Sequence, residues 1–237
     1  MVVLRENAAA LGLALTPGQM QSFAIYQAEL LDWNRRVNLT AVADAPGVQV
    51  KHFADSLACL AAFPEDLPTS CRLIDIGTGA GFPGVPLKLV RPERRLTLLD
   101  ATRKKTAFLD HLLPALGLTD VLVVTARAED AGNDPAHRES YDLALSRAVA
   151  SLPTLAELCL PLLRPGGLMV AQKSAGVESE VRAAQRAIGV LGGRLRAPLS
   201  YRLPGLSEPR WLIVVEKERP TPPGYPRRAG MPAKRPL

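Results

Sequence analysis

The sequence predicts an α/β fold in which a mostly parallel sheet is covered by helices on both faces and preceded by an N-terminal helical cap. From residue 72 onward, short apolar runs alternate with amphipathic stretches, which is typical of strand–helix–strand units. Before residue 66, apolar residues recur at helical spacing instead. The segment Phe63–Pro68 separates the two patterns, because neither a helix nor a central strand continues through its two prolines.

The elements follow in order along the chain. Apolar residues at helical spacing predict one helix within Gln19–Val37 and a second from Val48 to Leu60. Five strands are predicted near Arg72–Ile76, Arg95–Asp100, Val121–Thr125, Tyr141–Ser146 and Gly167–Gln172, with helices near Pro86–Val90, Thr102–Leu116, Ser151–Leu163 and Val177–Leu191 between most of them. Two further runs, 194–203 and 210–217, read as antiparallel strands joined by a hairpin and complete a seven-stranded sheet.

Three regions follow from this pattern: a helical subdomain at 1–66, a sheet domain at 67–218 and a basic, proline-rich tail at 219–237. The formal net charge of the chain is +6. Most of it lies at the end, since Glu218–Leu237 contains five cationic residues and one Glu. Six prolines in the last eighteen residues predict that the tail is flexible. Its charge makes it a candidate arm for RNA, and an inert solvated extension is the alternative.

Composition excludes several classes of protein. With 47% apolar residues, the 237-residue chain can bury a sizeable core, and no run approaches the roughly 18 apolar residues of a membrane span. The three cysteines have no histidine near them at a metal-ligand spacing, so neither a zinc site nor a disulfide framework is expected. We expect a cytoplasmic monomer that holds no metal and contacts no membrane.

The stretch Leu73–Gly84, "LIDIGTGAGFPG", contains Gly79-x-Gly81-x-x-Gly84 after a predicted strand. This spacing is typical of a Rossmann-like nucleotide site. Val85 stands where a Walker A loop has Lys, and Asp75 would repel a pyrophosphate at the loop. A carboxylate there favours the positively charged S-adenosyl-L-methionine, and Asp100 is placed to accept hydrogen bonds from a ribose diol. The alternative is an NAD-dependent oxidoreductase that binds NAD at the same glycines.

Six segments together resemble one known family. They are "WNRRVNLTA" (Trp33–Ala41), "HFADSL" (His52–Leu57), "DIGTGAGFPGVPL" (Asp75–Leu87), "LLDATRKKTAFL" (Leu98–Leu109), "SRAVASL" (Ser146–Leu152) and "LLRPGG" (Leu162–Gly167). In this combination and order the chain resembles the 16S ribosomal RNA small-subunit methyltransferase G family, also called glucose-inhibited division protein B. The tail is not part of the resemblance.

The resemblance implies methyl transfer from S-adenosyl-L-methionine to N7 of guanine 527 in the 530 loop of 16S rRNA. It places cofactor contacts at Gly77, Phe82, the Asp100–Thr102 turn, Ala128–Glu129 and Arg147. With the glycine loop, the expected cofactor-binding set is Asp75, Gly77, Gly79, Gly81, Phe82, Asp100, Ala101, Thr102, Ala128, Glu129 and Arg147. The chain departs from the family at Ala101–Thr102, where Ser-Leu is common, although a backbone contact would tolerate that change.

The residues agree with a reaction that needs no general base, because guanine N7 has a lone pair and no proton. The chain has "LSRAVAS" after its fourth strand, where methylation of an exocyclic amine would call for Asn/Asp-Pro-Pro-aromatic. Cations follow four strands, at the edge where the ligands of parallel sheets bind. Those expected to bind and orient the RNA, which is 16S rRNA or the small ribosomal subunit, are Arg147, Lys104, Arg127 and Lys173.

Two further expectations concern single features. Phe82 either stacks on the guanine or forms part of the wall of the methionine pocket, and we favour the second role. The polar residues of the cap, among them His52 and Asp55, suit either helix capping and packing or the substrate site. A third interpretation of the whole chain is an RNA-binding ribosome assembly factor with a vestigial cofactor site.

Overall fold

The computed structural model describes residues 1–174 and 176–237 and contains one eight-stranded sheet. Its strands are β1 Arg72–Ile76, β2 Arg95–Asp100, β3 Val121–Thr125, β4 Tyr141–Arg147, β5 Leu163–Lys173, β6 Gly193–Leu195, β7 Leu199–Tyr201 and β8 Arg210–Lys217. The order is β3-β2-β1-β4-β5-β8-β6, and β7 also pairs with β8. The first five strands are parallel, whereas β6, β7 and β8 are antiparallel.

The mostly parallel sheet with an antiparallel edge is confirmed, but the strand count is eight rather than seven. The predicted strand at 194–203 consists of β6 and β7, which both pair with β8. Pro198 lies between them. Because proline has no N–H to donate, it interrupts a hydrogen-bonded ladder.

Helices cover the sheet on both faces. They are α1 Val2–Ala10, α2 Pro17–Asn34, α3 Ala45–Val48, α4 Asp55–Leu57, α5 Gly84–Val90, α6 Arg103–Ala115, α7 Ala128–Asn133, α8 Leu152–Cys159, α9 Val177–Val190 and α10 Met231–Lys234. A π-helical segment, Gln49–Ala54, joins α3 to α4, and 3₁₀ turns follow at Ala58–Ala62 and Leu160–Leu162. A capping box between Thr16 and Gln19 starts α2.

The strands alternate between two apolar clusters because successive side chains point to opposite faces. In β1, Leu73 packs into the cluster that also contains the helical cap. Its neighbours Ile74 and Ile76 pack into the second cluster with α8 and α9. Residues 1–66 therefore share one core with the sheet, through buried side chains such as Phe23 and Phe53.

The C-terminal segment, residues 219–237, differs from the flexible tail that the sequence predicted. Thr221, Pro226 and Pro232 are buried, and α10 lies within the segment. The Arg227 guanidinium pairs with the Glu157 carboxylate on α8. Proline-rich composition favours disorder only while no partner surface exists, and here α7 and α8 provide one.

Among residues 1–174 and 176–237, no helix combines the length and apolar character needed to cross a membrane.

Candidate cofactor and RNA site

A pocket of about 360 Å³, here called the cofactor pocket, opens where β1, β2, β3 and β4 end. The chain order reverses between β1 and β4, and ligands of doubly wound sheets bind at such a switch point. The pocket is lined by Ile76, Gly77, Leu99, Asp100, Ala101, Lys105, Ala126, Arg127, Ala128, Glu129, Ala148, Val149, Ala150, Thr154, Leu158, Gly230 and Ala233.

The Asp100 carboxylate is held by backbone donors on both sides. Gly79 N donates to its Oδ2 at 3.0 Å, and Thr102 N donates to its Oδ1 at 2.8 Å. The Lys105 ammonium lies 3.5 Å from Oδ2. A carboxylate has about four acceptor positions, so these contacts fix its orientation and leave room for a ligand hydroxyl.

Two glycines of the loop lie so close to neighbouring side chains that a Cβ would not fit there. Gly77 has φ +67°, and a Cβ there would lie 2.5 Å from Val149 Cγ2 at the pocket wall. Gly81 has φ +98°, and a Cβ there would lie 2.7 Å from the Tyr26 hydroxyl. That hydroxyl donates to Ala80 O at 2.5 Å, so the cap binds the loop directly. The absence of a side chain at Gly81 therefore allows the loop to contact the cap, and its absence at Gly77 allows the loop to pass close to the pocket wall.

Asp75 lies beneath the glycine loop and does not line the cofactor pocket. Its Oδ2 accepts hydrogen bonds from Thr78 Oγ1 at 2.6 Å and from Gly84 N at 2.8 Å. Burial raises the pKa of this carboxyl to about 6, although the two hydrogen bonds act in the opposite direction. The N–H at the start of α5 is thereby occupied by an internal carboxylate. This contact gives a second physical reason, besides repulsion, why a pyrophosphate would not bind there.

Glu129, in the first turn of α7, lines the cofactor pocket. The residue is 6% exposed, and its Oε1 accepts a hydrogen bond from Gly230 N at 2.8 Å. Arg127, the residue before α7, and Ala128 also line the pocket. The C-terminal segment thus touches a residue that the family resemblance assigns to the cofactor.

Phe82 packs in the boundary between cap and sheet, outside the residues that line the cofactor pocket. Its ring stacks on Tyr26 with centroids 5.2 Å apart and on His52 with centroids 4.6 Å apart. The Arg147 guanidinium lies 5.0 Å from the ring centroid. With 5% of its surface exposed, Phe82 holds the loop, the cap and Arg147 together.

Arg147, the last residue of β4, donates to groups of the cap. Its Nη1 bonds Lys51 O at 2.9 Å and Asp55 Oδ2 at 3.3 Å, and its Nη2 lies 3.2 Å from His52 Nδ1. Nδ1 also lies 3.1 Å from Lys51 O, and Nε2 lies 2.7 Å from Thr40 Oγ1. Because a guanidinium only donates and a carbonyl only accepts, the role of Nδ1 depends on which ring nitrogen carries the proton. Burial and the Arg147 charge lower the pKa of His52 to about 4, so the ring is neutral near pH 7.

A second cavity of about 200 Å³, here called the polar pocket, adjoins the cofactor pocket at Ala148, which lines both. Ala148 has φ +55°, a strained conformation for a residue with a side chain. Gln172 Nε2 donates to Asp55 O at 2.6 Å and to the Tyr201 hydroxyl at 3.0 Å. Its buried Oε1 has no partner among the residues described. The full lining is Asp55, Arg147, Ala148, Gln172, Lys173, Ser174, Glu180, Tyr201 and Arg210.

The predicted RNA-binding cations fall into two groups. Lys104, in the first turn of α6, and Arg127 are exposed and form no salt bridge within the described part of the chain. Lys173 instead pairs with Glu180 at 2.7 Å and donates to Ala150 O, while Arg147 pairs with Asp55. The first group is available to phosphates, whereas the second lines the polar pocket.

The structure brings five predicted cofactor residues into one pocket: Gly77, Asp100, Ala101, Ala128 and Glu129. Six others lie outside its lining, namely Asp75, Gly79, Gly81, Phe82, Thr102 and Arg147. Of these, Gly79 and Thr102 act through their hydrogen bonds to Asp100. Thr154, Gly230 and Ala233 also line the pocket but were not predicted, since no local pattern assigns a residue of α8 or of a proline-rich terminus to a strand-end pocket.

The sequence of this chain matches one family model and several relatives that share one name. Residues 19–200 match the family model described as GidB, rRNA small subunit methyltransferase G. The chain is 51% identical over 237 residues to the ribosomal RNA small subunit methyltransferase G of Roseiflexus sp. (strain RS-1), with 100% of both chains covered. It is 48% identical over 226 residues to the protein of the same name from Moorella thermoacetica, covering 95% of this chain and 93% of that one.

Solved structures support the fold alone, since their sequence identity is low. YcgJ from Bacillus has a TM-score of 0.54 at 13% identity, covering 71% of this chain and all of that chain. TYW2 from M. jannaschii, solved in complex with AdoMet, has a TM-score of 0.51 at 13% identity, covering 64% of this chain and 70% of that one. Its sequence relatives show that the chain belongs to the rRNA small subunit methyltransferase G family, and the pocket at the strand ends agrees with this assignment.

Proposed function

We propose that this chain methylates N7 of guanine 527 in the 530 loop of 16S rRNA, using S-adenosyl-L-methionine, as a monomer in the cytoplasm. The observation that carries the proposal is the pair of adjoining pockets at the strand ends, which meet at Ala148. The first suits a nucleoside cofactor, and the second is polar and bordered by cations. A methyl donor and a base can thus lie on either side of one strained residue.

The residues of the cofactor pocket fit S-adenosyl-L-methionine. Asp100 is oriented to accept from ribose hydroxyls, while Glu129 keeps acceptor positions besides the one occupied by Gly230 N. Gly77 and Ala101 leave the backbone open to close approach. Asp75 adds negative charge beneath the loop rather than a direct contact. When bound, the cofactor supplies an electrophilic methyl group on a positively charged sulfur.

The polar pocket suits the Watson–Crick edge of guanine. That edge presents N–H donors and one carbonyl oxygen, and the buried Gln172 Oε1 is an acceptor without a protein donor among the described residues. The Arg147 guanidinium can donate to the carbonyl while N7 stays free. Because N7 carries no proton, the work of these residues is alignment. Correct positioning of reactants can contribute about 7–11 kcal/mol.

The RNA backbone would follow the exposed cations. Lys104 and Arg127 flank the cofactor pocket on α6 and at the start of α7. Phosphate contacts of this kind position a nucleic acid without reading its sequence. The base itself must leave its stack to enter the polar pocket, as in other enzymes that modify bases.

The test is transfer of tritiated methyl groups to naked 16S rRNA and to small subunits, followed by digestion to nucleosides. We expect label in N7-methylguanosine, and loss of label with Asp100→Ala. RNA that binds in a gel shift but acquires no label would favour the vestigial assembly factor. Tight calorimetric binding of NAD without binding of S-adenosylhomocysteine would favour the oxidoreductase.

Gln172→Leu tests the placement of the guanine. The substitution keeps the approximate volume and removes the acceptor, together with the Nε2 hydrogen bonds to Asp55 O and Tyr201. We expect slower methylation with S-adenosylhomocysteine affinity unchanged. Glu178→Gln, an exposed change in the first turn of α9, serves as the control. Equal methylation by the Gln172 variant and wild type would exclude the polar pocket as the guanine site.

A further inference from the structure

The C-terminal segment is anchored to the sheet domain by a buried ion pair. Glu157 on α8 is 1% exposed, and its carboxylate accepts from Arg227 Nε at 2.8 Å and from Arg227 Nη2 at 2.6 Å. Arg227 N adds a third donor at 2.9 Å. A charge buried this deeply requires its partner, so the pair fixes this part of the segment on α8.

Anchors on both sides of this pair hold the rest of the segment. Upstream, Arg138 donates to Thr221 O and Tyr225 O, and the buried Lys217 ammonium donates to Thr221 Oγ1. Downstream, Thr154 Oγ1 donates to Pro232 O at 3.1 Å. These contacts come from β8, α8 and the chain that follows α7, so the segment is packed along its length.

Beyond the ion pair the segment reaches the cofactor pocket itself. Gly230 and Ala233 line the pocket beside Thr154 and Leu158 of α8. The hydrogen bond from Gly230 N to Glu129 Oε1 also sets the direction of the Glu129 carboxylate. The pocket retains about 360 Å³ with the segment in place, so the segment forms a wall and does not fill the site.

We propose that residues 227–234 are an integral wall of the cofactor site, and that Gly230 positions the Glu129 carboxylate for the nucleoside part of S-adenosyl-L-methionine. The inference rests on the cofactor named in the proposed function but is independent of the RNA target. Because the ligand contacts the segment and the segment contacts α8, cofactor binding and ordering of the C-terminus reinforce each other.

Hydrogen–deuterium exchange on the full chain tests this directly. Adding S-adenosylhomocysteine should slow amide exchange in peptides that cover 227–234, together with peptides from the glycine loop and α7. Slower exchange in the loop and α7, with no change in 227–234, would overturn the proposal. The measurement needs no RNA and no turnover, so its outcome is separate from that of the methylation assay.

A double variant, Arg227→Ala with Glu157→Gln, tests the anchor without leaving a buried unpaired charge. Neither residue lines the pocket, so any loss of affinity must act through the segment. We expect S-adenosylhomocysteine affinity to fall about tenfold, which corresponds to loss of one charge-assisted hydrogen bond. Arg235→Ala is the matched control, since this cation lies just outside the proposed wall, and its side chain is exposed and pairs with no described residue.

The exchange profile of the double variant decides what an unchanged affinity means. If exchange in 227–234 rises and affinity stays at the wild-type level, the segment is not part of the site and the proposal fails. Tighter binding after release would show that the segment obstructs the pocket, which also contradicts the proposal. Should the double variant not fold, the exchange experiment on the wild type still decides.

Discussion

Arg147 and Asp55 pair across the boundary between the sheet and the helical cap, with Nη1 3.3 Å from Oδ2. Their side chains are 14% and 5% exposed, so water screens the pair only weakly. Asp55 Oδ1 also accepts from the Tyr201 hydroxyl at 2.7 Å. One ion pair therefore links α4, the end of β4 and β7 around the polar pocket.

Removal of the cation from this pair should destabilise the fold. Arg147→Ala leaves Asp55 buried without a counter-charge, and we expect the free energy of unfolding to fall by about 3 kcal/mol. Urea denaturation at neutral pH measures it. The double variant Arg147→Ala/Asp55→Asn should recover part of the loss. A double variant no more stable than Arg147→Ala would show that the charge on Asp55 is not the cause.

The two glycines at the start of the loop should differ in their tolerance of alanine. Gly77→Ala and Gly79→Ala both place a side chain at positive φ, at a cost of about 1–2 kcal/mol. Only at Gly77 does the new Cβ meet the pocket wall, 2.5 Å from Val149, whereas at Gly79 the nearest atom is 4.0 Å away. Calorimetry should show S-adenosylhomocysteine binding about tenfold weaker for Gly77→Ala than for Gly79→Ala. Equal affinities would contradict the close approach.

Charge reversal at the rim should weaken RNA binding alone. Lys104→Glu changes an exposed residue beside the cofactor pocket, and we expect affinity for a 16S rRNA fragment to fall about tenfold at low salt, with a shallower salt dependence. The control is Arg95→Glu, which makes the same change at the start of β2, the opposite edge of the sheet. Filter binding at several salt concentrations measures both, and S-adenosylhomocysteine affinity should not change. A similar loss for both variants would indicate a general charge effect.

His52 should make the fold sensitive to acid. Its pKa is about 4 in the folded protein, below the ordinary 6.5, because of burial and the charges of Arg147 and Lys51. Between these two values the unfolded chain therefore binds a proton that the folded chain does not bind. The free energy of unfolding falls as the pH drops from 6.5 to 4. Asp55 accepts hydrogen bonds from Arg147 and from the Tyr201 hydroxyl, and neither Asp55 nor Tyr201 is hydrogen-bonded to the ring in the described part of the chain.

The size of this effect is at most about 3 kcal/mol. Urea unfolding of the wild type and His52→Gln at pH 7, 5.5 and 4 isolates it from other titrating groups. We expect the wild type to lose stability relative to the variant as the pH falls. Parallel curves would show that His52 has the same pKa in the folded and unfolded states.

The sequence by itself determined the mostly parallel sheet, the glycine loop and the place of Asp100 at a strand end. Strand periodicity is local, and parallel strands bring their carboxyl ends to one edge. Glu129, just beyond β3, was expected only from the resemblance to the family, whereas Asp100, at the end of β2, was predictable at this edge from the strand pattern. The same reasoning placed Lys104 and Arg127 beside the pocket.

Only the tertiary structure decided which of these groups face the ligand and which face the protein. The Asp75 carboxylate accepts a hydrogen bond from Gly84 N, and the Phe82 ring packs against the cap. A buried polar group needs a hydrogen-bond partner, and the tertiary fold decides which groups lie close enough to provide it. The C-terminal segment is the clearest case. Arg227 finds Glu157 seventy residues away in the chain, and no local pattern encodes a contact at that separation.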